Sequence, residues 1–192
     1  MNICVYGASS NNIDKSYITA MENLGEEMAK RGHTLVFGGG ANGLMGAVAR
    51  GMTKGGGKIV GISPKFFDVD GVLYDKCTEF IYTETMRERK QILEDMAEAF
   101  IVMPGGPGTL DEYFETLCLR QLGHHNKPMA VFNVNGYYDN LKGMLETAFN
   151  GGFMTEEMIK LSPFYDDETA LLKYLEENKG GTGDFSILKD LK

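Results

Sequence analysis

The stretch that most constrains this chain is an apolar, strand-forming run that ends in proline and glycines and passes at once into a helical pattern. It is residues 99–115, AFIVMPGGPGTLDEYFE. Residues 99–103 form a short apolar strand, Pro104 ends it, and Gly105, Gly106 and Gly108 allow backbone conformations closed to other residues. Thr109 then opens an amphipathic segment, with Leu110, Tyr113, Phe114 and Leu117 at helical spacing. A strand, a glycine loop and a helix start make an anion site, because free backbone N–H groups and the positive end of the helix dipole point at one place. A phosphate belongs there, with Asp111 and Glu112 in the same first turn.

The same grammar recurs along the chain. A strand at 3–6 runs into Gly7-Ala8-Ser9-Ser10, and a helix follows over 14–31. A strand at 35–37 runs into Gly38-Gly39-Gly40, a helix rich in small residues starts at Gly43, and a strand follows at 58–62. Residues 63–79 read as an irregular loop over the site, followed by a strand at 80–82. A helix over 85–97 opens with Thr85 and Glu88 spaced as a capping box. A strand at 129–133 and helices at 137–150, 154–161 and 168–177 complete the pattern. Strands alternating with helices imply an α/β fold, a doubly wound parallel sheet with helices on both faces. Ligands of such sheets bind at the carboxyl ends of the strands, where strand order reverses. The loops at 7–10, 38–43 and 104–108 should therefore share one edge.

A length of 192 residues suits one domain with a full core, expected over 1–178, with a tail at 179–192 after a glycine-rich break. A net charge of −8 argues against general nucleic-acid binding, which needs a basic face, so any anionic ligand must be held by local groups. No apolar run approaches the roughly 20 residues of a membrane span. The opening MNICVYGASS is unlike a signal peptide. Cys4, Cys77 and Cys118, odd in number and far apart, fit reduced thiols and a cytoplasmic protein.

Several motifs have competing readings. GGGANG at 38–43 fits the dinucleotide pattern, yet the next strand, KIVGISP, ends without the acidic residue that would hold a ribose. GGPGT at 105–109 lacks the Lys-Ser/Thr pair of a nucleotide triphosphate loop. Thr109 and Glu112 are spaced as a capping box, a structural alternative to a catalytic Glu112. Arg89 lies at the edge of an apolar stripe of Met86, Leu93 and Ala97 and wants a carboxylate or phosphate partner, whereas Lys90 by itself reads more readily as a solvated side chain. His124 and His125 lack a third metal ligand and read as surface residues. Tyr137-Tyr138 reads as helix-start packing rather than a base-stacking platform.

Taken together, these residues resemble the LONELY GUY family, the cytokinin riboside 5′-monophosphate phosphoribohydrolases, long mislabelled as lysine decarboxylases. The family signature PGGxGTxxE appears as PGGPGTLDE at 104–112. M-x-x-R-K appears as Met86 to Lys90, QLGxHxKP at 121–128, and YGGG…GLMG as Phe37 to Gly40 with Gly43 to Gly46. The resemblance covers roughly residues 1–165 and implies a Rossmann-like fold, a homodimer, no metal or organic cofactor, and cleavage of a purine base from a nucleoside monophosphate. It makes Arg89 and Glu112 catalytic and puts the phosphate on Gly106, Gly108 and Thr109. The expected binding set extends to Pro107, Leu110 and Asp111, to Lys90, to Ser9, Gly39 and Gly40 on the neighbouring loops, and to Cys118. Pro107, Arg87 and Cys118-Leu119 depart from common family residues, which bears on base preference rather than on reaction type.

The expected reaction is hydrolysis of the N-glycosidic bond of adenosine 5′-monophosphate, or of its N6-modified forms, to free base and ribose 5-phosphate. The alternative is a nucleotide-binding or carrier protein of the same fold without hydrolysis. Amino-acid decarboxylation needs pyridoxal phosphate on a lysine, and no lysine context here suggests one.

Overall fold

The apolar runs become strands β1 (Asn2–Tyr6), β2 (Thr34–Phe37), β3 (Lys58–Pro64), β4 (Glu79–Thr83), β5 (Ala99–Val102), β6 (Met129–Phe132) and β7 (Phe164–Tyr165). The helices are α1 (Lys15–Lys30), α2 (Gly43–Lys54), α3 (Met86–Met96), α4 (Pro107–Gln121), α5 (Asp139–Asn150), α6 (Glu156–Lys160) and α7 (Glu168–Glu177). The computed structural model describes residues 1–178, so the expected tail lies outside the described residues.

All seven strands pair in parallel, in the order β4-β3-β2-β1-β5-β6-β7. Each central strand sends alternate side chains to opposite faces. Ile3, Val5, Leu35, Phe37 and Ile101 pack against Met21, Leu24 and Met28 of α1, the apolar side of α2, and Leu171, Leu172 and Leu175 of α7. Cys4, Tyr6, Val36, Phe100 and Val102 pack on the other face against Leu93 of α3 and Tyr113 and Leu117 of α4. Strand order reverses between β1 and β5. There the loops that follow the two strands are laced together: the Met103 N–H donates to the Tyr6 carbonyl at 2.8 Å, and the Ala8 N–H to the Pro104 carbonyl at 3.1 Å.

The differences from the sequence reading are local. Helix α4 starts at Pro107, two residues before Thr109, with Gly106 as its N-cap. Proline suits the first helical position because its missing N–H would have no partner there. Thr109 is therefore inside the helix, no Thr109–Glu112 capping box forms, and Asp111 and Glu112 fall in the second turn. At α3, Thr85 caps Glu88 N–H as expected, but the Glu88 carboxylate reaches one residue further back, to Glu84 N–H at 2.8 Å. Helix α5 starts late because Val134–Gly136 makes a separate turn with Asn135 at φ 56°. Strand β7, of two residues, was absent from the sequence reading.

Candidate functional site

A cleft of about 800 Å³ opens where the loops after β1, β2 and β5 meet, and all three loops line it, as their sequence pattern suggested. Its floor is an ion pair. Arg89, on the first turns of α3, is only 8% exposed. Its Nη1 donates to Glu112 Oε1 at 2.8 Å, and its Nε donates to the Ile62 carbonyl at 3.3 Å. Glu112, on α4, is held from behind. Thr116 Oγ1 donates to the Glu112 backbone carbonyl at 2.9 Å and lies 3.1 Å from the buried Tyr6 hydroxyl. Both side chains are nearly removed from solvent, at 10% and 12% exposure, where breaking the pair would strand a buried charge.

Space for the guanidinium comes from a glycine. A Cβ on Gly38 would lie 2.1 Å from Arg89 Nη2, inside any permissible contact. The GGGANG loop therefore makes room for an arginine at its first glycine, and the end of β3 supplies the buried Ser63 to the cleft in place of a ribose-binding acid. On the other side of the cleft the α4 start is open. Nothing lies near the Cβ positions of Gly106 and Gly108, whereas a Cβ on Gly105 would lie 2.1 Å from Thr109 Oγ1, which folds back over that turn.

Burial lifts the Glu112 carboxyl above the ordinary glutamate value; the charge and hydrogen bond of Arg89 oppose that rise without cancelling it. Arg89 thus keeps a buried acid ionisable rather than making it an unusually strong one. Lys90, the next residue, turns to Asp111 at 3.2 Å and to Glu115, and these contacts, Glu115 foremost, hold its ammonium above the usual lysine value.

The third wall comes from residues 65–74, within the 63–79 stretch expected as a loop over the site, whose ends instead belong to β3 and β4. It is fastened rather than free: Ala41 N–H donates to the Val72 carbonyl at 2.9 Å and Tyr74 N–H to the Gly39 carbonyl at 2.8 Å. Asn42 Nδ2 adds a bond to the Gly71 carbonyl at 3.3 Å. Phe67, Val72 and Leu73 from this loop line the cleft together with Met45 and Met86, an apolar lining in the same cleft as the ion pair.

Of the residues singled out from sequence, Arg89 and Glu112 meet in this cleft with Ser9, Gly40, Lys90, Gly106, Pro107, Gly108, Thr109 and Asp111. Gly39 does not line it, and its Cβ position faces Phe80. Leu110 and Cys118 lie on the outer face of α4 with Phe114, in a shallow groove beside the cleft. Gly38, Asn42, Met45 and Met86 were missed as site residues. Met86 was readable, since it precedes Arg89 by three residues and so shares its helix face.

One surface assignment needs correction. His125 is buried, because its ring packs on Phe100 and both nitrogens are engaged: Nε2 with the Thr116 carbonyl and Nδ1 with Lys127 N–H, each at 3.2 Å. Accepting at Nδ1 fixes the neutral ring, and burial lowers its pKa to about 4. Of the apolar residues at helical spacing on α4, Tyr113 and Leu117 belong to the chain's own core, and the outward ridge is Pro107, Leu110, Phe114 and Cys118.

A family model described as "Possible lysine decarboxylase" matches residues 45–175. A cytokinin riboside 5′-monophosphate phosphoribohydrolase of Oryza sativa subsp. japonica is 37% identical over 175 residues, which make up 91% of this chain and 72% of that protein. One from Arabidopsis thaliana is 35% identical over 175 residues, 91% of this chain and 82% of its own length. Among solved structures, the molybdenum cofactor carrier protein of Chlamydomonas reinhardtii superposes with a TM-score of 0.68 at 18% identity, covering 92% of this chain and 96% of that one. At that identity the likeness is one of fold alone.

Proposed function

The chain belongs to the LONELY GUY family of cytokinin riboside 5′-monophosphate phosphoribohydrolases, and from that premise we propose that it hydrolyses the N-glycosidic bond of adenosine 5′-monophosphate or its N6-modified forms. The products are the free base and ribose 5-phosphate. The observation that carries the reading is the buried Arg89–Glu112 pair on the floor of a cleft that also holds an open glycine turn at a helix start.

The 5′-phosphate sits against the N–H groups of the 106–109 turn, where the helix dipole favours an anion. That anchor sets the ribose over Glu112 and the base against Phe67, Leu73, Met45 and Met86, which offer an apolar slot to a flat ring and to a hydrophobic N6 group. As the C1′–N9 bond lengthens, positive charge develops on the sugar. The Glu112 carboxylate stabilises that charge and accepts a proton from the water whose oxygen bonds to C1′, while the base leaves with the electrons of the broken bond and takes up a proton. Arg89 orients the carboxylate and favours its ionised form against the pull of burial.

A decarboxylase reading meets a chemical objection at Lys90, which among the described residues is the lysine that lines the cleft. A Schiff-base lysine needs a depressed pKa, and this ammonium is stabilised by two carboxylates instead.

The same reading includes a homodimer formed along the outward ridge of α4. Pro107, Leu110, Phe114 and Cys118 there continue directly from the cleft rim, and an apolar ridge beside a site suits a second copy. It also includes a cytoplasmic setting, which the three unpaired thiols suit. No helix of the described residues is long and apolar enough to cross a membrane. Incubation of the pure protein with adenosine 5′-monophosphate and with its N6-isopentenyl form should release free base measurable by chromatography. Intact nucleotide after prolonged incubation with both would favour a carrier.

A further inference from the structure

The phosphate turn is braced from outside the cleft by two tyrosines that the reaction itself does not use. Tyr138 is buried, and its hydroxyl donates to the Met103 carbonyl at 2.7 Å. Tyr137, still 44% exposed, donates its hydroxyl to the Gly105 carbonyl at 2.8 Å and leans edge-on against Tyr17 of α1.

These contacts determine which backbone N–H is left for an anion. In a trans peptide the carbonyl and the following N–H point in opposite directions, and no peptide bond among the described residues is cis. The Pro104 carbonyl accepts from Ala8, so the N–H of that same peptide, on Gly105, points the opposite way. The next peptide follows the same rule. Its carbonyl, on Gly105, is held by Tyr137, so its N–H, on Gly106, is aimed away from Tyr137, on the side where Gly106 lines the cleft. Pro107 has no N–H, which makes Gly106 the first donor of the α4 start.

Resting on the phosphate reading above, we propose that Tyr137 is a positioning residue for the substrate's phosphate: its hydroxyl holds the Gly105–Gly106 peptide in the orientation that presents the Gly106 N–H to the anion. Tyr137 touches no substrate. Glycine on both sides of that peptide leaves it free to rotate, and the tyrosine hydroxyl supplies the restraint that neighbouring side chains would otherwise give.

The test uses the full chain and Tyr137→Phe, which keeps the ring and its contact with Tyr17 and removes only the hydroxyl. Ribose 5-phosphate and adenine are the probes, titrated separately by calorimetry, and the Gly106 amide is followed by 15N–1H correlation spectra. Tyr137→Phe should bind ribose 5-phosphate about three- to tenfold more weakly, the worth of one well-aimed hydrogen bond to an anion. Adenine affinity and kcat on adenosine 5′-monophosphate should stay within twofold, so the loss appears in KM. The Gly106 amide should shift strongly on phosphate addition in the parent protein and much less in the variant. Equal affinity of the two proteins for ribose 5-phosphate overturns the proposal, and so does a parallel loss for adenine, which would mean general loosening of the loop. Should the parent bind ribose 5-phosphate without releasing base from the nucleotide, hydrolysis fails as the function, while the affinity difference still decides the role of Tyr137. A parent protein that does not bind ribose 5-phosphate overturns both.

Discussion

Arg89 and Glu112 stand 23 positions apart in sequence and 2.8 Å apart in space, and the proposed chemistry rests on that approach. Glu112→Gln keeps the size and hydrogen-bonding reach of the side chain but cannot take a proton from water. Base release should fall by about 10²-fold or more with nucleotide affinity retained; a variant that still turns over normally would remove Glu112 from the reaction. The sign of the pH effect follows from burial. Because Glu112 must be ionised and its pKa is raised, kcat/KM should fall as pH drops through an acid limb lying above the ordinary glutamate value. Arg89→Met removes the opposing charge, so the Glu112 carboxyl should titrate at still higher pH, observable by 13C NMR; a shift to lower pH would contradict the assignment. Gly38→Ala places a methyl where Arg89 Nη2 now sits and should cost about 10²-fold in rate through misplacement, and because the displaced guanidinium belongs to a buried pair the melting temperature should fall as well. The family motif and the helical stripe made Arg89 and Glu112 legible in the sequence. Gly38 was not legible as part of the site, because its contribution is an absent side chain and only the position of Arg89 gives that absence a meaning.

Helix α4 joins the two halves of the site: its first turn lines the cleft where the proposed phosphate would sit, and its second carries Glu112. Its start was misplaced by two residues in the sequence reading, since Gly-Gly-Pro-Gly looks like loop until the proline is recognised as the first helical residue. That shift decided the competing reading of Glu112, which is too far along the helix to cap it. The far end of the helix is stitched by His125, whose ring bonds the Thr116 carbonyl below the residue that supports Glu112. A pair of adjacent histidines in a polar connection gives no sign of burial, so periodicity could not have found it. Folding holds this ring neutral, with its pKa lowered from 6.5 to about 4. The resulting stabilisation is complete above the unfolded value and is lost as pH falls through the folded one, up to roughly 3 kcal/mol. Denaturant melts should therefore show stability declining between about pH 6.5 and pH 4, and His125→Gln should flatten that slope. An unchanged slope would mean that other groups carry the acid sensitivity.

The order β4-β3-β2-β1-β5-β6-β7 brings the ends of β1 and β5 together, and that single reversal creates the cleft. Alternation of apolar runs with amphipathic segments made the parallel sheet and its two helical layers readable from sequence, because each central strand must bury both faces. Glycine-rich loops at three strand ends located the edge where the cleft opens, and all three converge there. The two-residue β7 was not readable, since a strand that short carries no periodicity. Placement of the ligand relative to the ion pair is the claim on which the whole reading stands. A crystal structure of the Glu112→Gln protein with adenosine 5′-monophosphate bound tests it most directly. The account predicts the 5′-phosphate against the Gly106–Thr109 turn, with C1′ of the ribose beside residue 112. A nucleotide seated elsewhere, or one whose sugar points away from residues 89 and 112, would contradict it.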